Sequence, residues 1–176
     1  MVVMEAAQER DHPVNYAHPQ PETNQVLIRE DDLRGGEIRR FLTEHLDEMH
    51  SITPPESVHA LDLDGLRQPG ITFWTAWLDD DLVACGALKI LDAQTGEIKS
   101  MRTARTHRGQ GLGSRMLEHI LAEARLRNLS WLCLETGAMP EFAPARTLYA
   151  RHGFEYRGPF ADYTDDPNSV FMTRKL

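Results

Sequence analysis

The hydrophobic residues of this chain follow two different periods, which divide it into helices and strands. From Glu37 to Met49 they recur every three or four residues, as on one face of an α-helix that ends before Pro54-Pro55. The same spacing runs from about Gly111 to Asn128, and a last helix is predicted over Ala143–His152, where a glycine ends it. A further short helix is expected between Val58 and Leu66.

Short runs rich in β-branched and aromatic residues predict strands in the rest of the chain. They are Gln25–Arg29, Ile71–Leu78, Leu82–Leu91, Glu97–Thr103, Trp131–Leu134, Phe154–Arg157 and Val170–Arg174. Turns join the second, third and fourth as antiparallel neighbours, and imperfect alternation in the fourth allows a β-bulge. The fifth is apolar throughout and follows a helix, as in a βαβ crossover to a parallel neighbour. The order predicts an α+β fold with a mixed, mostly antiparallel sheet of about six to seven strands.

Length, composition and charge narrow the class of protein. With 176 residues, 41% of them hydrophobic, the chain suits one domain with a real core. A formal net charge of -8 disfavours general nucleic-acid binding, and no stretch is suited to crossing a membrane or to secretion. Residues 1–24 are polar and aperiodic, so we expect a disordered tail before a single domain over 25–176. Cys85 and Cys133 lie in apolar runs and are predicted to be core thiols of a cytoplasmic protein.

The stretch Arg108-Gly109-Gln110-Gly111-Leu112-Gly113 places glycine at every second position between a predicted strand and a predicted helix. Glycine costs backbone entropy on folding, so this density needs a reason. The first turn of a helix has free N–H groups and a positive dipole end, and glycines let a ligand approach them closely. Positive charge is added by Arg102, Arg105, Arg108 and Arg115. The stretch therefore predicts a loop that binds phosphate or pyrophosphate.

Two well-known nucleotide-binding motifs each require a residue that this stretch does not have. A P-loop requires Lys and then Ser or Thr after its last glycine, whereas Ser114-Arg115 follows Gly113 here. A dinucleotide-binding fingerprint needs glycine at position 114, although Glu135 stands near the spacing of its ribose-binding acid. Its strand should also open a parallel sheet, whereas this one is third in an antiparallel meander. The glycines could also serve only a tight turn.

The loop resembles the acetyl-CoA site of the GNAT superfamily of N-acetyltransferases, whose pattern is Arg/Gln-x-x-Gly-x-Gly/Ala. The matching residues are Arg108, Gly111 and Gly113. The similarity continues with Glu97 early in the preceding strand and with the run Leu148-Tyr149-x-x-x-Gly153-Phe154. It covers roughly Val26 to Leu176 and is greatest to the small bacterial members. It implies a GNAT-like sheet with helices on both faces, and transfer of acetyl from acetyl-CoA to a primary amine of a small molecule or peptide.

The resemblance also implies roles for particular residues. Glu97 is implied as the general base, directly or through water, and Tyr149 as the acid that protonates the leaving thiolate. Residues implied to bind acetyl-CoA are Met101, Arg102, Thr103, Arg108, Gly109, Gln110, Gly111, Leu112, Gly113 and Ser114. A main-chain N–H near Met101 would polarise the thioester carbonyl. These roles imply direct attack by the amine in a ternary complex.

Three points stay open here: the cofactor contacts of the last helix, the route of acetyl transfer, and whether the chain catalyses a reaction at all. Many family members carry Asn where this chain has Phe142, so the cofactor contacts of the last helix are open. Cys133 could form an acetyl-cysteine, but no base stands near it in its apolar run. A chain that kept the loop and lost turnover would be a CoA-binding sensor, which the presence of Glu97 and Tyr149 argues against.

The acceptor is less well defined by the sequence. Candidates for contacting it are His50, Glu56, His59, Asp162 and Tyr163. The acidic stretch around Asp162 would suit a cationic amine, although a solvated, charged loop would have the same composition. The histidine spacings match no metal-ligand pair, so we expect no metal. Dimers are common in this family, so a homodimer is a further expectation, and we expect no nucleic-acid or membrane partner.

Overall fold

The computed structural model describes residues 25–176, and within them seven strands form one mixed sheet. The strands are β1 (Val26–Glu30), β2 (Ile71–Leu78), β3 (Asp81–Ile90), β4 (Thr95–Thr103), β5 (Trp131–Gly137), β6 (Glu155–Arg157) and β7 (Ser169–Lys175). Their order is β1-β2-β3-β4-β5-β7-β6, and every neighbouring pair is antiparallel except β4 and β5. The predicted meander, parallel crossover and antiparallel end are confirmed. The tail predicted for residues 1–24 lies outside the described residues.

Helices cover both faces of this sheet. They are α1 (Gly36–Ile52), α2 (Leu63–Leu66), α3 (Leu112–Leu126) and α4 (Ala143–Arg151). Phe73 packs with α1 and its neighbour Trp74 packs with α3, so the two helices lie on opposite faces. The apolar stripe predicted for α3 is buried: Leu112, Met116, Leu117, Ile120, Leu121 and Ala124. The predicted α+β fold is therefore confirmed. No helix in the described range is long and apolar enough to span a membrane.

Most elements begin or end a few residues away from their predicted bounds, and the main differences concern β5 and the segment after α1. β5 continues past Leu134 to Gly137, because its last residues pair with β7 although they are polar or small. The short helix expected between Val58 and Leu66 is instead a 3-10 turn at Pro55–Ser57 followed by the single turn of α2. The Asp62 side chain caps α2 by accepting a hydrogen bond from the Gly65 N–H at 2.8 Å.

The predicted irregularity of β4 is a β-bulge at Ser100, whose φ is 53°. The register to β3 shifts there, and Gly86 stands opposite the bulge. A Cβ added at Gly86 would come within 2.7 Å of the Met101 sulfur and 2.8 Å of the Ile120 Cδ1. Glycine at this position therefore allows the bulge of β4 and the helix α3 to approach the same strand closely.

Candidate active site

A cavity of about 700 Å³ opens where the parallel strands β4 and β5 separate. Their pairing runs from Thr95–Trp131 to Ile98–Leu134 and then ends. Beyond that point, Lys99 to Thr103 line one wall of the cavity and Glu135 to Gly137 line the other. β4 keeps its pairing with β3 but has lost its partner on the cavity side, so its backbone can pair with an extended ligand.

The glycine loop forms one end of this cavity. Gly109 and Gly111 have φ values of 79° and 80°, in the left-handed region that favours glycine, and Gly111 is the N-cap of α3. The amide N–H groups from Gly109 to Ser114 make no backbone hydrogen bond within the described residues. A Cβ at Gly109 or Gly111 would meet no protein atom within 4 Å, so the space over these amides is open. The loop is therefore a cradle suited to an anion.

Basic residues beside the cradle are tied to α1. Arg108 donates hydrogen bonds of 2.9 and 3.0 Å to the carboxylate of Glu48, and Arg105 lies 3.5 Å from it. Burial raises the pKa of Glu48, but the hydrogen bond and the charge of Arg108 outweigh burial and lower it. Burial and the charge of Arg102 lower the pKa of His45 to about 4, so a neutral imidazole borders the cavity at neutral pH.

Glu135 is a carboxylate of the cavity wall on β5. Its Oε1 accepts a hydrogen bond of 2.8 Å from the Ser169 hydroxyl, and Oε2 has no partner among the described residues. Burial raises the pKa of Glu135, the hydrogen bond from Ser169 and the charges of His59 and Lys99 oppose the rise, and the charge of Glu97 adds to it. A carboxylate with a free oxygen and a raised pKa is suited to accept a proton.

Tyr149 of α4 borders the same cavity. The residue is 6% exposed, and its ring packs edge-on against Phe154 at 5.8 Å between centroids. Burial raises the pKa of its phenol, and the charge of Glu135 raises it further. The phenol is therefore protonated at neutral pH and can donate a proton.

Beside the Lys99 wall of the cavity lies a polar triad of Glu97, Lys99 and Tyr163, in which Glu97 is buried and Tyr163 is half-buried. Lys99 Nζ donates to Glu97 Oε1 and to the Tyr163 hydroxyl, both at 2.9 Å. The Tyr163 hydroxyl donates to Glu97 Oε1 at 2.6 Å. Lys99 borders the cavity, whereas Glu97 is 2% exposed and does not. The Glu97 carboxylate thus lies outside the cavity lining and accepts both hydrogen bonds on its Oε1.

The sequence of residues 37–154 matches the family model described as the acetyltransferase (GNAT) family. The chain belongs to the GNAT family of acetyltransferases. The general reaction of this family is acetyl-CoA-dependent acetylation of an amine, and acetyl-CoA is its co-substrate. This match confirms the resemblance to the GNAT superfamily that the sequence motifs indicated.

Three relatives are similar in sequence to this chain over most of its length and nearly all of their own. The chain is 54% identical to YsnE of Bacillus subtilis, named an uncharacterized N-acetyltransferase, over 85% of this chain and 99% of YsnE. It is 44% identical to the similarly named YedL of Escherichia coli, over 85% of this chain and 94% of YedL. It is 41% identical to the IAA acetyltransferase of Azospirillum brasilense, over 87% of this chain and 99% of that protein.

Solved structures share the GNAT fold. A GNAT family acetyltransferase from Elizabethkingia anophelis with acetyl-CoA bound has a TM-score of 0.57 at 17% identity, covering 88% of this chain and 100% of that one. A Bacillus subtilis acetyltransferase in complex with CoA has a TM-score of 0.61 at 16% identity, covering 86% of this chain and 99% of that one. At these identities the likeness supports the fold alone.

The GNAT cofactor residues expected from the sequence nearly all border the cavity. They are Met101, Arg102, Thr103, Arg108, Gly109, Gly111, Leu112, Gly113 and Ser114, and Gln110 is the exception. The Arg102 guanidinium is buried under α1, where it pairs with Glu44 at 3.0 Å and stacks on Phe41 at 4.7 Å. Its side chain therefore faces α1, although the residue borders the cavity.

The expected acceptor residues divide into two groups. His59 borders the cavity. Tyr163 is not in the lining, but its ring packs edge-on against the His59 ring, with the ring centroids 5.1 Å apart. His50, Glu56 and Asp162 are exposed and lie outside the cavity lining, so the structure does not bring them to the site. His50 lies near the end of α1 and the other two lie in turns, and hydrophobicity and charge alone do not tell which way such exposed residues face.

Sequence reasoning missed two charged residues of the cavity lining where β4 and β5 separate. Glu135 was weighed only as the acid of a dinucleotide site, and Lys99 was not singled out. The signal that could have found Glu135 is its place directly after the apolar run of β5, where a polar residue leaves the core and enters the gap between strands. Phe142, which stands where Asn is common, borders the cavity and presses its ring on Gly137.

Proposed function

We propose that this protein transfers the acetyl group of acetyl-CoA to the primary amine of a small molecule or peptide. The observation that carries the proposal is one cavity that holds both a run of amides, Gly109 to Ser114, and one carboxylate oxygen of Glu135 that have no hydrogen-bond partner among residues 25–176. The amides suit the pyrophosphate of the co-substrate, and the carboxylate suits an amine.

The residues present fit acetyl-CoA. Its pyrophosphate would lie on the open amide cradle, and its pantetheine arm would pair with the unpaired edge of β4 at Met101 and Thr103. Bound acetyl-CoA supplies an acetyl thioester that an amine can attack. Met101 borders this path, and its main-chain N–H would donate to the thioester carbonyl.

Glu135 takes the base role in this proposal. Its free oxygen faces the cavity, so it can hold the attacking amine and accept one proton from it. As the new C–N bond forms, the C–S bond breaks, and Tyr149 gives its proton to the thiolate. Both proton transfers then occur between groups of the same cavity, and Cys133 is not used.

The role that we propose for Glu97 differs from that of a direct base, which the resemblance implied. It is 2% exposed, and its Oε1 already accepts hydrogen bonds from Lys99 and Tyr163. An incoming amine would have to displace these bonds, so we propose that Glu97 positions Lys99 rather than meeting the substrate. A route through water stays a prediction.

Release of CoA from acetyl-CoA with a panel of amines, with the acetylated product identified by mass spectrometry, tests the proposed function. Initial velocities against both substrates should give intersecting lines, as a ternary complex requires. Tight binding of acetyl-CoA without CoA release for any amine would favour the alternative of a CoA-binding sensor and contradict the proposal.

A further inference from the structure

Two loops beside the cavity bond to each other. Residues 53–62, between α1 and α2, contribute Thr53 and Ser57 to Ala60 to the cavity lining, and residues 158–168, between β6 and β7, pack against them from outside the lining. The Asn168 amide donates to the Ser57 hydroxyl at 3.3 Å, and a hydrogen bond from Ser57 lowers the pKa of Asp166. The rings of His59 and Tyr163 join the same loops edge-on, 5.1 Å apart.

The cavity lining holds a cation, Lys99, with a hydrogen-bond donor to spare. The Lys99 ammonium has three N–H groups, and two of them are used by Glu97 and Tyr163. Within residues 25–176 the third has no partner, and Lys99 borders the cavity with a side chain that is 9% exposed. Because a buried ammonium loses most of its hydration, an anionic group on the acceptor would bind there favourably.

The group that accepts the amine lies on the same side of the cavity. Lys99 and Glu135 directly follow Ile98 and Leu134, the last pair of β4 and β5, and both border the cavity together with His59. The free Glu135 oxygen is a partner for an amine, while the Lys99 N–H and the His59 ring are partners for an anion. A molecule that satisfied both would carry its amine and its anionic group close together.

From this arrangement we infer that the acceptor is a small amino acid-like zwitterion, with its amine on Glu135 and its carboxylate on Lys99 and His59. This inference rests on the proposed function, since it identifies the substrate class of that same cavity. The α-ammonium first passes one proton to Glu135, which releases it to water, and the neutral α-nitrogen then attacks the thioester carbonyl. As the C–S bond breaks, the thiolate takes the Tyr149 proton, and the nitrogen gives up its second proton, which restores the Tyr149 phenol. CoA thiol and the N-acetyl amino acid are the products.

Matched acceptors test the inference. L-Amino acids are compared with their carboxamides, which keep the α-amine and side chain and lose only the negative charge. Because the two amines differ in basicity, kcat/KM is compared at the optimum pH of each. We expect the free acid to exceed its amide by at least tenfold for the best side chain. Amides that react as well as the acids, or better, would overturn the inference and leave the acetyltransferase function standing.

The variant Lys99→Gln tests which residue makes the distinction. It can still donate to Glu97 and Tyr163, and we expect the acid-to-amide ratio to fall towards one while the KM for acetyl-CoA stays unchanged. Lys175→Gln, an exposed lysine of β7 outside the cavity, is the matched control and should keep the ratio.

Two further readouts keep this test decisive. If Lys99→Gln does not fold, the double variant Glu97→Gln, Lys99→Gln removes both buried charges together and should show the same loss of ratio. A ratio that persists in either folded variant would overturn the inference. Acetyl-CoA binding without transfer to any acid or amide would instead overturn the proposed function, and the inference with it.

Discussion

Replacing Gly111 by alanine separates the two reasons for a glycine in the loop. At a φ of 80°, an L-residue costs about 1–2 kcal/mol of backbone strain. For a domain of this size each kcal/mol lowers Tm by roughly 2–4 °C, so Gly111→Ala should lower it by about 2–8 °C. The added Cβ meets no protein atom within 4 Å and extends into the space above the amide cradle. We therefore also expect acetyl-CoA binding to weaken at least tenfold, about 1.4 kcal/mol.

Gly70→Ala is the matched control for this strain. Gly70 has a φ of 83°, and a Cβ there would meet only the Ile90 carbonyl at 4.0 Å, outside the cavity. Calorimetric titration with acetyl-CoA and thermal unfolding are measured on both variants. The control should lose a similar amount of stability and keep its affinity. Equal affinities for the two variants would refute the assignment of Gly111 to the cradle.

Three other substitutions address the catalytic groups and the packing of the cavity wall. Glu135→Gln should lower kcat by about 10²-fold or more with unchanged acetyl-CoA affinity. The wild-type enzyme should lose activity on acidification, and the variant, assayed across the same pH range, should not show that dependence. Because burial raises the pKa of Glu135, its ionised form destabilises the fold above that pKa, so Glu135→Gln should also raise Tm at neutral and alkaline pH; a lower Tm there would contradict the pKa direction. Tyr149→Phe should reduce kcat with little change in the affinity for acetyl-CoA, and normal turnover at every pH would assign the ring to packing alone. Gly137→Ala places a Cβ in collision with the Phe142 ring and should lower the free energy of unfolding, measured with denaturant, by about 1–3 kcal/mol. Adding Phe142→Leu should restore part of that loss, and an unchanged free energy of unfolding in the single variant would show that the ring moves freely.

The elements of the fold were predictable wherever burial imposed a regular pattern. The stripe of α3 faces the sheet at helical spacing, so the sequence period and the buried residues coincide. β2 was predicted with its observed ends because Ile71 to Leu78 is bounded by turn residues on both sides. The bulge of β4 was signalled by its broken alternation, since an extra residue reverses the side that later residues face.

The site was predictable only where the backbone itself binds. Glycines mark positions of positive φ, so the cradle could be read from Gly109 and Gly111. The side chains that face the cavity carry no such mark. Glu97 and Glu135 are both strand carboxylates, and they differ only because β4 and β5 part after Ile98 and Leu134. That separation arises from pairing across the whole sheet, which local sequence does not encode.

Thermal unfolding of the protein with acetyl-CoA, CoA, NADH or ATP, each added separately, tests the central claim most directly. A ligand bound only by the folded state at a hundredfold excess over its Kd adds about 2.7 kcal/mol, which raises Tm by roughly 5–10 °C. We predict that rise with acetyl-CoA and CoA and none with NADH or ATP. A rise with NADH alone, or no rise with either CoA ligand, would contradict the assignment of the glycine loop to acetyl-CoA.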